Sequence, residues 1–201
     1  MNPNAESYNR ICDHWRDYRN GKPVDSCVAE FAKRLKPGAK VLDIGCGTGY
    51  PIAAHLSGIG CCVTGIDISE RMIDCALGLN LPGAEFFVAD LLQFRTDKRF
   101  DGVIAFDSIW HIPMEQQSQI YSLIGELIQT GGYFIFTHGK RAASVTVAMF
   151  GQPFWYSSLD KEVGFQLLEE NGFTVLSAQV DYFDDNTGDR ELLVVAQKRK
   201  I

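Results

Sequence analysis

Apolar residues from about position 40 onward fall into short runs that alternate with segments of helical spacing. Seven runs are short enough to be buried strands, at residues 41–44, 62–66, 85–89, 103–106, 133–137, 173–178 and 192–197. Alternation of strands and helices is typical of a mostly parallel sheet with helices on both faces. The pattern therefore predicts a doubly wound α/β fold around a seven-stranded sheet.

Helical spacing is clearest at residues 113–129, where a Gly-Gly pair at 131–132 predicts the helix stop. A second helix is predicted at about residues 160–171, with Gly172 at its C-terminal cap. The last two strands are joined by the turn-rich residues 184–189 without a helical pattern. They should form an antiparallel hairpin, so the last strand of the sheet is expected to be antiparallel.

Two helical patterns precede the first strand, at residues 8–18 and 24–35. The segment 20–23, Asn-Gly-Lys-Pro, separates them because it breaks helical periodicity. We therefore expect a helical extension, residues 1–36, followed by a main domain at residues 37–201.

The composition, 46% hydrophobic and 22% charged over 201 residues, is that of a globular protein with a full core. The net charge of -6 disfavours nucleic acid and an anionic membrane as partners. Residues 1–10 are polar and lack the apolar core of a signal peptide, and no apolar run reaches transmembrane length. A cytoplasmic protein is therefore expected.

Six cysteines occur without a C-x-x-C pair or a metal-like Cys/His spacing. No metal site is expected. Reduced structural thiols fit the predicted compartment.

A glycine-rich turn follows the first strand. Residues 41–49 read Val-Leu-Asp-Ile-Gly-Cys-Gly-Thr-Gly, and Pro51 can open the next helix. Glycines at alternate positions let a ligand lie against the backbone. A dinucleotide site would require glycine at position 50, where this chain has Tyr50, so NAD and NADP are disfavoured.

Leu42–Gly49 resembles motif I of the class I S-adenosylmethionine-dependent methyltransferases of the small-molecule type, and the similarity extends over roughly residues 38–137. The resemblance implies a Rossmann-like fold, S-adenosyl-L-methionine as cofactor and methyl transfer to a small-molecule acceptor. A tight turn without a ligand is the alternative.

The resemblance also implies roles for the acidic residues that follow the strands. Asp43 would order the glycine loop, and Asp67 would accept hydrogen bonds from both ribose hydroxyls. Asp90 would accept from the adenine amino group, beside the backbone N–H of Leu91. As alternatives, Asp67 caps the next helix, although Ser69 can do so equally well, and Asp90 is a turn carboxylate. The predicted cofactor site comprises Asp43, Gly45, Cys46, Gly47, Gly49, Asp67, Ile68, Asp90, Leu91, Phe106 and Asp107.

Residues 106–108, after the fourth strand, are similar to the family motif that faces the transferred methyl group. His111 is a candidate general base because imidazole titrates near neutral pH. Packing or helix capping is its alternative role. Tyr8, Trp15 and Tyr18 are predicted to form a lid over the cofactor or, alternatively, the packed face of an amphipathic helix.

Residues 138–159 have no clear helix or strand period over much of their length and are predicted to be an irregular loop that contributes to an acceptor pocket. Rings in this segment favour a compact apolar or aromatic acceptor, unless they only close the core. The predicted substrate-binding residues are Trp110, Phe150, Phe154, Trp155 and Tyr156.

Two other functions remain open from the sequence. A non-catalytic S-adenosylmethionine-binding module would keep the glycine loop and Asp67 without an acceptor cavity. A Rossmann oxidoreductase is disfavoured by Tyr50 and by the closing hairpin.

Overall fold

The computed structural model describes residues 3–200. The strands are β1 (Lys40–Ile44), β2 (Cys62–Asp67), β3 (Ala84–Val88), β4 (Phe100–Ala105), β5 (Ile128–His138), β6 (Ala143–Met149), β7 (Gln152–Ser158), β8 (Phe173–Asp184) and β9 (Gly188–Lys198). The helices are α1 (Pro3–Arg19), α2 (Ser26–Ala32), α3 (Ile52–Gly58), α4 (Glu70–Gly78), α5 (Gln117–Leu127) and α6 (Lys161–Glu170).

Seven strands form one sheet in the order β3-β2-β1-β4-β5-β9-β8. The pairs among β1 to β5 are parallel, and β9 is antiparallel to both of its neighbours. The predicted doubly wound sheet with a reversed last strand is therefore confirmed. The strand order changes direction between β1 and β4, and ligands of such sheets bind in the crevice at the carboxyl ends of the strands there.

The core has one layer on each face of the sheet. Leu42 and Phe134 belong to the layer that includes α5 and α6, whereas their neighbours Val41 and Ile135 belong to the layer that includes α2, α3 and α4. Consecutive residues of a strand point to opposite faces, so strands covered on both faces read as continuous apolar runs. That property explains why the central strands were predicted close to their observed positions.

The prediction of an irregular loop at residues 138–159 is wrong, because β6 and β7 form a separate antiparallel hairpin. Its two-residue turn, Phe150–Gly151, has positive φ at both positions, which matches the twist of a tight hairpin. β6 is exposed along almost its whole length, so it lacks the period-two alternation of a half-buried strand.

Other boundaries differ by a few residues. The helix predicted at residues 113–129 begins later, at Gln117, after a short 3-10 turn at Met114–Gln116. It also ends earlier, because Ile128 already pairs with Phe100 in the sheet. Within the described residues, no helix is long and apolar enough to cross a membrane.

Candidate functional site

A cavity of about 340 Å³ opens at the carboxyl ends of β1, β2 and β4. We call its sheet-side wall the floor, formed by the segments at residues 43–47, 66–68, 89–92 and 106–109. We call the opposite wall the roof, formed by Tyr8, Trp15 and Arg19 of α1 together with Trp155 of β7. Every residue of the predicted cofactor site lines this cavity except Gly49, which packs against Ala76 of α4.

Close packing around the glycine loop leaves no room for a side chain at Gly45. A Cβ atom built there would lie 2.3 Å from the Cβ of Ser108, and Gly45 has a φ of +72°. The backbone N–H groups of Gly45 and Cys46 donate to the carbonyl of Ile66, which holds the loop against β2. On the cavity side, a Cβ at Gly47 would lie 3.6 Å from Nε1 of Trp15 in the roof. The loop therefore presents bare backbone to the cavity.

Asp67 is buried at the end of β2. Its Oδ2 accepts from the backbone N–H of Gly47 at 2.9 Å, and its Oδ1 accepts from that of Ser69 at 2.9 Å. Burial raises the pKa of Asp67 to about 6, although backbone N–H donors oppose the shift. The N-cap of α4 is Ser69, whose Oγ accepts from the N–H of Met72. Asp67 is therefore not needed as the helix cap.

Asp43 is buried at the end of β1, and its Oδ2 has no hydrogen-bond partner among residues 3–200. Burial raises the pKa of Asp43 to about 7, and the charge of Asp67 adds to the shift. Buried polar atoms in proteins are normally hydrogen-bonded, so an unpaired carboxylate oxygen beside a cavity marks a place for a ligand donor.

Asp90 begins the 3-10 turn Leu91–Gln93 after β3. Its Oδ1 accepts from the N–H of Leu92 at 2.9 Å. The residue is only partly buried and lines the cavity beside Leu91. Asp90 can therefore keep its hydrogen bond within the turn while it lines the cavity.

Asp107 already has a charged partner. Nε and Nη2 of Arg190 each donate to one of its carboxylate oxygens at 2.6 Å. Thr137 accepts from the backbone N–H of Asp107 and donates to its Oδ1. Sequence reasoning missed Arg190 because it lies 83 residues away, on β9. The predicted cofactor contact of Asp107 therefore involves a carboxylate that is held in a bidentate ion pair.

His111 is buried in the 3-10 turn after β4, with both ring nitrogens engaged. Nδ1 lies 2.8 Å from the carbonyl oxygen of Trp155, and Nε2 lies 2.9 Å from the hydroxyl of Tyr8. The carbonyl of Trp155 only accepts, so it favours a proton on Nδ1 and leaves Nε2 to accept from Tyr8. The amide nitrogen of Asn4, 2.9 Å from Nδ1, only donates and favours the opposite tautomer. Burial lowers the pKa of His111 to about 4, so the ring is neutral near pH 7.

α1 is fastened to β7 by polar contacts far apart in sequence. The side chain of Asn4 accepts from the N–H of Trp155 at 2.9 Å and donates to its carbonyl at 2.7 Å. Ser7 donates to the carbonyl of Pro153 at 2.7 Å. These bonds set the position of the roof above His111.

Two of the three predicted lid residues, Tyr8 and Trp15, lie in the roof, whereas Tyr18 is exposed beside Phe150. Arg19 also faces the cavity, and its guanidinium carbon lies 5.7 Å from the ring centroid of Trp15. Burial lowers the pKa of Arg19. Its guanidinium forms no salt bridge within the described part of the chain. An arginine that faces a cavity without an acidic partner is suited to an anionic group of a ligand.

The predicted substrate residues divide into several environments. Trp155 lines the cavity, whereas Phe154 is fully buried with its ring centroid 4.6 Å from that of Tyr8. Tyr156 packs between His111 and Trp110. Phe150 lies at the hairpin turn, where it stacks on His14 of α1. The structure thus brings one of the five predicted rings to the cavity wall, and the acceptor contacts of the others stay predictions.

Residues 41–132 match the family model described as a methyltransferase domain. Squalene methyltransferase 1 of Botryococcus braunii is 38% identical over 119 residues, which cover 55% of this chain and 30% of that protein. Phosphoethanolamine N-methyltransferase 1 of Arabidopsis thaliana is 31% identical over 160 residues, which cover 75% of this chain and 32% of that protein. The chain thus spans about a third of the length of these curated relatives.

A solved structure of 1,6-didemethyltoxoflavin-N1-methyltransferase from Burkholderia thailandensis, with 1,6-didemethyltoxoflavin and S-adenosylhomocysteine bound, has a TM-score of 0.76 to this chain. The two are 20% identical, and the match covers 98% of this chain and 87% of the other, which shows a shared fold. The segment matched by the family model contains the glycine loop and the four floor carboxylates Asp43, Asp67, Asp90 and Asp107. Residues 41–132 are thus similar to a methyltransferase domain, and the chain shares its fold with a solved methyltransferase whose structure holds S-adenosylhomocysteine.

Proposed function

We propose that this chain transfers a methyl group from S-adenosyl-L-methionine to a small-molecule acceptor. The observation that carries the proposal is that one cavity joins two buried carboxylates and a glycine loop in its floor to a Tyr8–His111 pair. Such a cavity has polar groups that can bind a nucleoside cofactor and, beside it, a second ligand that can lose a proton.

The floor fits the cofactor by its donor and acceptor chemistry. Asp67, ionised near pH 7, would accept from the ribose hydroxyls, and Asp90 would accept from the adenine amino group. The unpaired oxygen of Asp43 and the bare backbone at Gly45 would face the amino-acid end. Arg19 would bind the carboxylate at that end. When bound, the sulfonium of the cofactor supplies an activated methyl group.

Tyr8 and His111 would receive the proton that an acceptor hydroxyl or amine loses. In the tautomer with the proton on Nδ1, the hydroxyl of Tyr8 would donate to Nε2 of His111, which leaves the lone pairs of Tyr8 free to accept from an acceptor in the cavity. As the acceptor proton moves to the Tyr8 oxygen, the Tyr8 proton moves to Nε2, and Nδ1–H remains bonded to the carbonyl of Trp155. His111 therefore acts through Tyr8.

Alignment of the acceptor supplies the larger part of the catalysis. Correct positioning of two reactants is worth about 7 to 11 kcal/mol. The roof and floor enclose the reacting groups, and Trp155 provides an apolar surface for a compact apolar or aromatic acceptor. A small molecule, rather than nucleic acid or a membrane, fits this cavity and the net charge of -6.

Calorimetry with S-adenosylmethionine, S-adenosylhomocysteine and NADH tests the first half of the proposal. We expect heat from the first two ligands alone, and no heat from any of them contradicts the proposal. Transfer of a labelled methyl group to members of a metabolite panel tests the second half. Cofactor binding without transfer to any acceptor would instead identify a non-catalytic binding module.

A further inference from the structure

Two cysteines from different helices meet where α1 lies against α4. Sγ of Cys12 and Sγ of Cys75 are 3.4 Å apart, although the residues are 63 positions apart in sequence. A disulfide bond requires the two sulfurs to approach by about a further 1.4 Å, to about 2.05 Å. Side-chain rotation with a small shift of one helix provides a movement of this size.

The two thiols differ in access and in charge environment. Cys12 is fully buried, its Sγ contacts the carbonyl of Arg71, and burial together with Cys75 raises its pKa to about 12. Cys75 is only partly buried. Arg16 and Arg71 both pair with Asp13, so two cations and one anion surround the thiols. Because Cys75 is partly exposed and Cys12 is fully buried, Cys75 is the thiol that an oxidant reaches first.

The pair lies directly behind the roof of the cofactor cavity. Cys12 is four residues after Tyr8 and three before Trp15, both of which face the cavity. Cys75 is three residues after Met72, which lines the cavity from α4. Residues at these spacings are neighbours on one helix face. A covalent bond between the two sulfurs would therefore fix the roof against α4.

We propose that Cys12 and Cys75 form a reversible disulfide that locks the roof over the cofactor cavity. With hydrogen peroxide as the oxidant, the Cys75 thiol is oxidised to a sulfenic acid, and one oxygen of the peroxide leaves in water. The Cys12 sulfur then attacks Sγ of Cys75, and the sulfenic oxygen leaves as a second water. The two thiol hydrogens and the peroxide end in two waters, and a dithiol reductant reverses the bond.

Formation of the bond is tested on the full chain treated with peroxide, followed by alkylation and mass spectrometry. All six cysteines are free in the structure. We expect two fewer alkylated thiols and one cross-linked peptide that contains Cys12 and Cys75, both restored by dithiothreitol. Cys75→Ser should abolish the cross-link, whereas the control Cys62→Ser, at an exposed cysteine outside the pair, should retain it. Separate sulfinic acids without a cross-linked peptide would overturn the proposal.

The effect on the cavity rests on the proposed function and needs its own measurement. Peroxide treatment of protein loaded with S-adenosylhomocysteine should slow release of the ligand by at least about tenfold, because a locked roof opens only by wider local unfolding. Cys75→Ser should release it at the untreated rate. A cross-link with unchanged release would overturn the locking role. If no cofactor binds at all, the proposed function fails, while the cross-linked peptide still reports on the disulfide.

Discussion

The floor and the roof of the cavity are built in different ways. In the floor, Asp67 bonds to the N–H of Ser69 and Asp90 to that of Leu92, so both carboxylates are oriented in part by backbone two residues away. In the roof, Tyr8 contacts His111 across 103 positions. The floor thus combines local turns at strand ends with contacts between strands, whereas the roof is held by contacts between distant segments of the chain. We therefore expect changes in the floor to affect the cofactor and changes in the roof to affect turnover.

The largest expected effect comes from Gly45→Ala in the floor. The new Cβ would lie 2.3 Å from Cβ of Ser108, so the loop must move and cofactor binding should be lost. Gly21→Ala is the matched control, because Gly21 has a similar φ of +73° but nothing within 4 Å. The control should lower stability by only about 1 kcal/mol. If calorimetry showed that Gly45→Ala binds the cofactor as tightly as the parent does, the proposal that the cofactor lies against this loop would be wrong.

Tyr8→Phe tests the roof. The change removes the hydroxyl that bonds to Nε2 of His111 and keeps the ring that packs on Phe154. We expect turnover to fall by about 100-fold, the usual range for loss of a proton-transfer group, with an unchanged dissociation constant for S-adenosylmethionine. Steady-state kinetics and calorimetry measure the two quantities. Unchanged turnover would assign Tyr8 to packing alone.

Asp67→Ala should weaken cofactor binding by about 10- to 100-fold, because hydrogen bonds to a charged group are worth roughly 1.5 to 3 kcal/mol. Ser69→Ala is the comparison, since Ser69 caps α4 and its loss should cost about 1 kcal/mol of stability. Thermal melting and calorimetry on both variants separate the roles. A melting temperature that falls only in Asp67→Ala, with cofactor affinity intact, would assign Asp67 to the fold.

The smallest expected effect is the dependence of cofactor affinity on pH. The pKa of Asp67 is raised to about 6, so the ionised form, which we propose accepts from ribose, is present above this pH and is lost as the pH falls through it. Between pH 7.5 and pH 5 the contribution of Asp67 should decline by about tenfold. In Asp67→Asn this part of the pH dependence should vanish. Identical pH profiles for the parent and Asp67→Asn would refute the assignment.

The contrast between local and distant contacts explains how much of the site the sequence could predict. Glycines and acids that directly follow buried strands are local signals, and all but Gly49 of the predicted cofactor residues line the cavity. The partners of these residues are long-range: Arg190 reaches Asp107 from β9, and Tyr8 reaches His111 from α1. No spacing in a single sequence encodes such contacts, because they arise only when packed elements meet.

The hairpin shows a second reason for failure. β6 is exposed, so its hydrophobic pattern carries no information about a buried face. The aromatic residues of β7 led to the prediction that this segment contributes to a pocket, but only Trp155 of that strand faces the cavity. Which ring faces a cavity is set by the register of β7 against β6 and by the bond of Asn4 to Trp155.

The bond between Asn4 and Trp155 spans 151 positions, and this separation matters during synthesis of the chain. Translation runs from the N-terminus, so α1 emerges well before β7, the strand on which it docks. Strands β1 to β5 also emerge before β7, and they can pair while the apolar side of α1 around Ile11 still lacks its partner Phe154. The helix α1 therefore reaches its final place long after it is made, and the cavity gains its roof only once β7 has emerged.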